Sequence, residues 1–457
     1  MRNRIVVKNG TVLTMEPGAT PHPADILIED TRITAIAPTI DHPDAHTIDA
    51  TRCIVMPGMI DTHRHVWQTQ LRGVTHDWSL KDYIRAIRFQ AATHYRPADM
   101  YAGNHLGMLE ALDAGITTVL DFSHCINTPE HAEAALDGTR DTGIRSVYAL
   151  GLNDAPGATF TTLTQRLDHA RTLRTRDLSS DTALITMGIS LSDVLVAGID
   201  RVTEEVAASR DLGLRITLHA NAVMFPQPVS EVAFLHHAGL LGPDLLWVHL
   251  NQTTDAELRL VADTGGSLST TPETEMQMGM GAPAHGRFMD AGGQCTFGCD
   301  VISNNSGDLF PQLRLALQTE RMRRNAIHLD DHHGPDHITP TALSHLQGAT
   351  INAARALGLD TRIGTLTPGK EADLIVIRAD APNMLPVNDP VAAVTLHAHT
   401  GNVDTVLVAG RILKRHGKLL ADPAHHIPLL DASHAHLLDA IEKTGGLIPQ
   451  PPAPLPW

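Results

Sequence analysis

Short apolar runs alternate with amphipathic segments through the middle of the chain, the rhythm of strands and helices wound around a parallel sheet. Eight runs read as strands: CIVMPGMIDTH, GITTVLDFSH, IRSVYALG, ALITMGIS, RITLHA, LLWVHL, GGSLSTT and GQCTFGCD. Intervals of roughly 30 residues between the later runs suit a strand, a helix and two loops each, and right-handed crossovers would close the set into a barrel. The pattern therefore predicts an α/β fold, a (β/α)8 TIM-type barrel. The stretch WQTQLRGVTHDWSLKDYIRAIRFQ after the first run is expected to form a loop and helix over the barrel mouth.

The two ends have a different texture. Residues 1–57 carry short β-type runs (IVVKNGTVLTM, ADILIED, RITAIAP, HTIDATRCIVMPG) broken by Gly, Pro and Asp, and a similar pattern returns over 361–420. These ends are expected to pair as the two parts of a small β-sandwich flanking a barrel over 58–360. The remaining extension, 421–457, finishes in PQPPAPLPW and is expected to wrap the surface or stay loose.

Composition narrows the classes. With 457 residues, 42% of them hydrophobic, the chain can fill a large barrel and a satellite domain. A formal charge of −16 and the lack of a dense Lys/Arg run argue against nucleic acid as a partner. No apolar stretch approaches a membrane span and the N-terminus has no secretory apolar region, so a soluble, cytoplasmic protein is expected, with no membrane partner. Cys53, Cys125, Cys295 and Cys299 form no CxxC pair and are expected to be reduced thiols. The 28 histidines include surface-like stretches such as HLDDHHGPDH, so position matters more than number.

His63 and His65 stand two apart at the end of the first barrel run, and strand alternation puts both imidazoles on one face. His219, His249 and Asp300 close three later runs in the same way. Singly, each has an ordinary explanation, a hydrogen-bonded rim residue or a helix cap. Together they lie where a parallel barrel gathers reacting groups from distant sequence. Neutral imidazoles and a carboxylate can hold a divalent ion with a position left for water, whose pKa then falls towards neutrality so that hydroxide attacks an sp2 carbon bonded to nitrogen. Asp300 can accept the water's proton and pass it to the leaving nitrogen. His249 can polarise the attacked group or orient the water.

At these residues the chain resembles the amidohydrolase superfamily, in the branch of triazine hydrolases and of cytosine, guanine and adenosylhomocysteine deaminases. The resemblance covers most of the chain. Besides the strand ends it includes PGMIDTHRH with QTQLRG and a WSL turn, ALDAGITTVLDF, FGCDVISNNSGDLF, and ATINAARALGLDTRIGTLTPGKEADLIVI, which in that family returns the chain from barrel to sandwich. It implies His63, His65, His219 and Asp300 as metal ligands and His249 as the catalytic partner. The metal would be zinc, or iron, cobalt or manganese; by analogy with relatives a homo-oligomer is expected.

Two departures qualify that resemblance. Deaminases of the branch commonly carry a Glu three residues after the strand-five His, where this chain has Ala222. Two-metal members carry a lysine ending strand four, which ALITMGISLSD lacks, so one metal is expected. Glu273 and Glu275, in TTPETEMQMGMG, are candidates for a substitute acid and for substrate contact, or else a solvated turn pair. His124 is a further candidate for substrate contact. Trp67 and Gln70 are expected to shape the pocket floor, although an aromatic there suits core packing equally.

The resulting expectation is a mononuclear hydrolase of a C–N bond in a small molecule, deaminating an N-heterocycle or cleaving an amide or urea. Displacement of a halide or thiolate at an activated carbon, or a non-catalytic scaffold barrel, are the alternatives.

Overall fold

The computed structural model describes residues 4–154, 158–222 and 229–447. Eight parallel strands follow one another in chain order around the central sheet: β6 (Met59–Arg64), β7 (Ile116–Ser123), β8 (Arg145–Gly151), β9 (Ile185–Ser190), β10 (Arg215–Ala220), β11 (Leu245–His249), β12 (Ser267–Thr270) and β13 (Gln294–Phe297). These are the eight runs read as barrel strands, with helices between them. The last strand meets the first through an isolated parallel bridge between Arg64 and Asp300 and through Thr62, whose Oγ1 lies 2.7 Å from Ser269 Oγ and 2.8 Å from Thr296 Oγ1.

One expected strand is cut in two. CIVMP belongs to a second sheet and MIDTHR to the barrel, with the break at Gly58. A Cβ at that position would lie 2.1 Å from Thr117 Oγ1, so only glycine lets the chain pass.

The second sheet joins β1 (Arg4–Val12), β2 (His22–Glu29), β3 (Arg32–Ala37), β4 (His46–Asp49) and β5 (Cys53–Pro57) to β14 (Leu374–Arg378), β15 (Val403–Val408), β16 (Arg411–Arg415) and β17 (Lys418–Leu419). Chain start and chain return meet where β5 pairs antiparallel with β14. Ile26, Ile28, Val55, Leu374 and Leu407 from both halves share one apolar cluster. A buried ion cluster ties this sheet to the barrel: Arg145 Nε donates to Asp373 Oδ2 at 2.7 Å, and its guanidinium also contacts Glu371. Such planar, two-pronged pairing holds orientation as well as charge.

Ala353, Leu357 and Ile363 plug the N-terminal end of the barrel against Ile60, Leu120, Val147 and Leu246. Burying side chains of this kind is worth about 1.5–3 kcal/mol each, and it leaves the opposite end as the way in.

The first part of the C-terminal extension is helical and packs on the barrel's surface. Pro423–Lys443 is a helix, with Leu437 and Ile441 buried one turn apart and Ser433 donating to Asp99 Oδ1 at 2.7 Å. The i, i+4, i+8 spacing of Ser433, Leu437 and Ile441 gives the helix one buried face. The Pro-rich end, PQPPAPLPW, lies outside the described residues. Among the described residues no helix is long and apolar enough to cross a membrane, and the four cysteines are free thiols.

Candidate metal-dependent active site

At the open end of the barrel, β6 delivers His63, with His65 just past its end, β10 delivers His219 and β11 His249, and Asp300 follows β13. Alternation along β6 turns both imidazoles inward, while the Arg64 guanidinium between them donates to Asp61 at 2.8 Å and to the carbonyl of Gly107. Asp300 is the centre of the group. Its Oδ1 lies 3.1 Å from His63 Nε2 and 3.3 Å from His65 Nε2, and its Oδ2 lies 3.9 Å from His249 Nε2. The His219 ring is 5.1 Å from that of His63 and 5.5 Å from that of His249, centre to centre. Donor atoms of His63, His65 and Asp300, and separately of His63, His219 and His249, lie within 4.8 Å of one another.

Two of these backbones are strained. His249 and Asp300 have φ of 79° and 58°, conformations that cost a non-glycine residue about 1–3 kcal/mol and recur at functional sites. The Asp300 turn is held by backbone bonds in both directions: Asp300 N donates to His63 O at 2.8 Å and His65 N to Asp300 O at 2.9 Å.

The electrostatics suit a cation. Burial pushes His63 down to about 4 and His65 well below the ordinary imidazole value, and it lowers His219 as well. Although burial opposes it, the neighbouring His63 holds the Asp300 carboxyl at about 2. Neutral imidazoles beside an ionised carboxylate are the protonation states that ligate a divalent metal. His65 Nδ1 sits 3.0 Å from the Phe122 carbonyl, which can only accept, so Nδ1 carries the proton and Nε2 keeps its lone pair. By geometry and charge the donor set fits a divalent metal.

His249 differs. Burial opposes protonation, but a 3.2 Å contact between its Nδ1 and Glu275 Oε1, with the charges of Asp300 and Glu275, raises it. Glu275 is completely buried, accepts a further bond from Thr271 N at 2.9 Å, and does not line the cavity. It orients His249 from behind.

The cavity above the site has an apolar wall of Leu80, Ile84, Phe89, Leu195, Val196 and Met278, with His124, Asp193, Arg88 and Glu231 among its polar members. Phe89, Leu195 and Val196 remain exposed at 43%, 38% and 68%, an apolar rim at the cavity mouth. The segment after β6 does cover the mouth, as a succession of short helical turns through Arg88.

Of the five expected substrate contacts, His124 alone lines this cavity. It accepts from Trp67 Nε1 at 3.0 Å through Nδ1 and stacks on His65 at 4.0 Å, which leaves Nε2–H as a donor. Trp67 is corrected to a supporting role: it lies on a 3-10 turn, fully buried against Tyr95. Gln70 on the same turn is buried away from the cavity, donating to Asp99 O and Ser433 Oγ. Glu273 is likewise corrected, since its Oε2 accepts from Gln312 Nε2 at 2.8 Å and it does not reach the cavity. Asp193 and Glu231 went unread in the sequence. Asp193 follows β9 within ISLSD, a strand-end carboxylate that the rule used for Asp300 could have found.

The sequence profile of the Amidohydrolase family matches residues 54–413. The chain belongs to the amidohydrolase family. The amidohydrolase is thus a metal-dependent hydrolase of carbon–nitrogen bonds. It is 29% identical over 422 residues to a 5-methylthioadenosine/S-adenosylhomocysteine deaminase of Symbiobacterium thermophilum, covering 90% of this chain and 93% of that one. It is 27% identical to a 5'-deoxyadenosine deaminase of Methanothermobacter thermautotrophicus, covering 90% and 94%. In fold it is similar to a zinc-bound adenosine deaminase of Xanthomonas campestris, with a TM-score of 0.82, 23% identity and coverage of 95% and 98%. Atrazine chlorohydrolase of Arthrobacter aurescens complexed with zinc gives a TM-score of 0.81 at 20% identity, covering 94% and 100%.

Proposed function

We propose that this amidohydrolase deaminates a small aminated N-heterocycle using one divalent ion, zinc foremost, held by His63, His65, His219 and Asp300. The observation that carries the reading is the convergence of His63, His65 and Asp300, and of His63, His219 and His249, beneath a largely apolar cavity. Relatives named as deaminases of adenosine derivatives, and neighbouring structures that hold zinc, support it. A single ion is supported by β9, whose ITMGIS offers no lysine to bridge a second.

When bound, the divalent ion supplies positive charge that acidifies a water at neutral pH. The protein's own groups do the rest. Asp300 takes the water's proton and hands it to the departing amine. His249, tied to Glu275, faces Asp300 across 3.9 Å and offers Nε2 to the attacking oxygen. Ile84, Phe89 and Met278 exclude water around the ring, which strengthens each of these polar contacts.

Ammonia release by the zinc-loaded protein, measured against aminated purines, pyrimidines and triazines and against ureas and anilides, tests the proposal. Ammonia from a heterocycle, with one metal per chain by elemental analysis, is expected. Release of only larger amines or halide would overturn deamination, and two metals per chain would overturn the single-ion site.

A further inference from the structure

We infer that Glu231 is the acid of this site, donating a proton to a ring nitrogen of the substrate as water adds to the adjacent carbon. The inference rests on the proposed deamination and names a residue for it.

Glu231 opens the helix Glu231–His237, behind Ser230, whose Oγ accepts from Ala233 N at 3.1 Å. Its own N–H donates to Asn221 Oδ1 at 2.8 Å, and its Oε2 accepts from Asn221 N. Asn221, at φ 47°, is fixed in turn by a 2.9 Å bond from Nδ2 to Thr253 Oγ1. This clamp fastens the helix start to the end of β10, two residues beyond His219. Ala220, Ala222 and Glu231 thus share one wall of the cavity. The side-chain position empty at Ala222 is served by a carboxyl arriving nine residues later. Oε2 is spoken for, whereas Oε1 has no hydrogen-bond partner among the described residues, on a residue only 8% exposed that lines the cavity.

The other carboxyls lining the cavity are already engaged: Asp300 Oδ1 lies 3.1 Å from His63 Nε2, and Asp193 Oδ1 lies 3.6 Å from His219 Nδ1. Burial pushes Glu231 up to about 7, with Asp193 adding to the rise and the Asn221 N–H and His249 opposing it. Glu257, on the next helix, turns instead to Ser230 and Thr254. A carboxyl holding its proton near neutrality, in a water-poor cleft, is matched to acid catalysis.

The step balances as follows. The water oxygen bonds to the amino-bearing carbon, its proton goes to Asp300, and the C=N π pair moves to the ring nitrogen, which takes the proton of Glu231. Asp300 then protonates the amino group, the C–N bond breaks with its electron pair, and ammonia leaves. As the carbonyl forms, the hydroxyl proton passes to Glu231, which ends the cycle protonated.

Two measurements on the full-length, zinc-loaded protein test this. Glu231→Gln keeps an acceptor for Asn221 N, so it should fold and hold zinc as wild type does, yet lose about 100-fold or more in kcat with KM within about threefold. Loss of the alkaline limb of the kcat–pH profile should accompany it. Retention of kcat within about threefold, or a loss matched by zinc loss, would overturn the role. Independently of turnover, a glutamate 13C-carboxyl resonance absent from Glu231→Gln should titrate between pH 6 and 8 and shift with 4-aminopyrimidine but not aniline. A midpoint below pH 5, or no response to the heterocycle, would overturn the inference even if ammonia release is found; absence of ammonia with the expected titration and shift would count against the deamination alone.

Discussion

Asp300 and His63 are joined twice, by the backbone bond from Asp300 N to His63 O at 2.8 Å and by the 3.1 Å approach of Oδ1 to Nε2. One contact closes the barrel and the other builds the site, so the carboxylate's position is set by the fold itself. Asp300→Asn preserves the backbone bond and the side-chain shape but removes the proton acceptor. It should lower kcat at least about 100-fold while leaving KM within a few-fold, the signature of an interaction used only in the transition state. Steady-state kinetics would show it, and near-wild-type turnover would remove Asp300 from proton transfer.

His65 offers a separate test of metal retention. Its Nδ1 is committed to the Phe122 carbonyl, so substitution by Ala removes a lone pair aimed at the site and leaves a void beside Phe122. His65→Ala should abolish metal retention and turnover together. His63→Ala should do the same. Elemental analysis after dialysis reads this directly, and a variant that keeps stoichiometric metal would not be missing a ligand.

Glu275 acts at one remove. Its Oε1 holds His249 Nδ1 at 3.2 Å and Thr271 N at 2.9 Å, while Oε2 is buried without a partner among the described residues. Partners that orient site histidines in this way are typically worth 10–100-fold. Glu275→Gln should therefore reduce kcat by about that factor with metal content unchanged. Loss of metal instead would mean that His249 itself is a primary ligand.

The strand-end residues were legible because strand periodicity is rigid: a polar residue closing an apolar run on the inward phase has one place to go. His63, His219 and His249 obey that rule within their strands and His65 one residue past β6, whereas Asp300 is placed by the left-handed turn after β13; Arg64 obeys the converse. The failures fall where the backbone leaves that period. Trp67 and Gln70 follow the His pair closely, but a 3-10 turn over Val66–Leu71 rotates them away from the cavity. Glu273 and Glu275 lie on the helix Pro272–Gln277, so neither points as an extended chain would direct it. Glu231 is held at the cavity by its bond to Asn221, a tertiary relation with no local periodicity to announce it. In the C-terminal extension, the Pro-rich end masked the helical spacing of Ser433, Leu437 and Ile441 just before it.

Away from the site, His345 ties stability to pH. Its ring is 1% exposed, stacks on Phe297 at 5.5 Å and meets His285 edge-on at 5.4 Å, and its Nε2 has no hydrogen-bond partner among the described residues. Burial, helped by the neighbouring His285, pushes it down to about 3. The folded state therefore keeps this imidazole neutral, whereas the unfolded chain binds a proton below its ordinary value of about 6.5. Stability is fully present above that value and is lost as pH falls from about 6.5 towards 3, with a slope of up to about 1.4 kcal/mol per pH unit from this one group. His345→Phe keeps the stacked ring and removes the unpartnered nitrogen, so it should match or exceed wild-type stability at pH 7. Its advantage should widen on acidification, as wild type alone carries this penalty. Urea unfolding of both proteins at pH 7, 6 and 5 measures the gap; a gap that stays constant with pH would mean that His345 is protonated alike in both states.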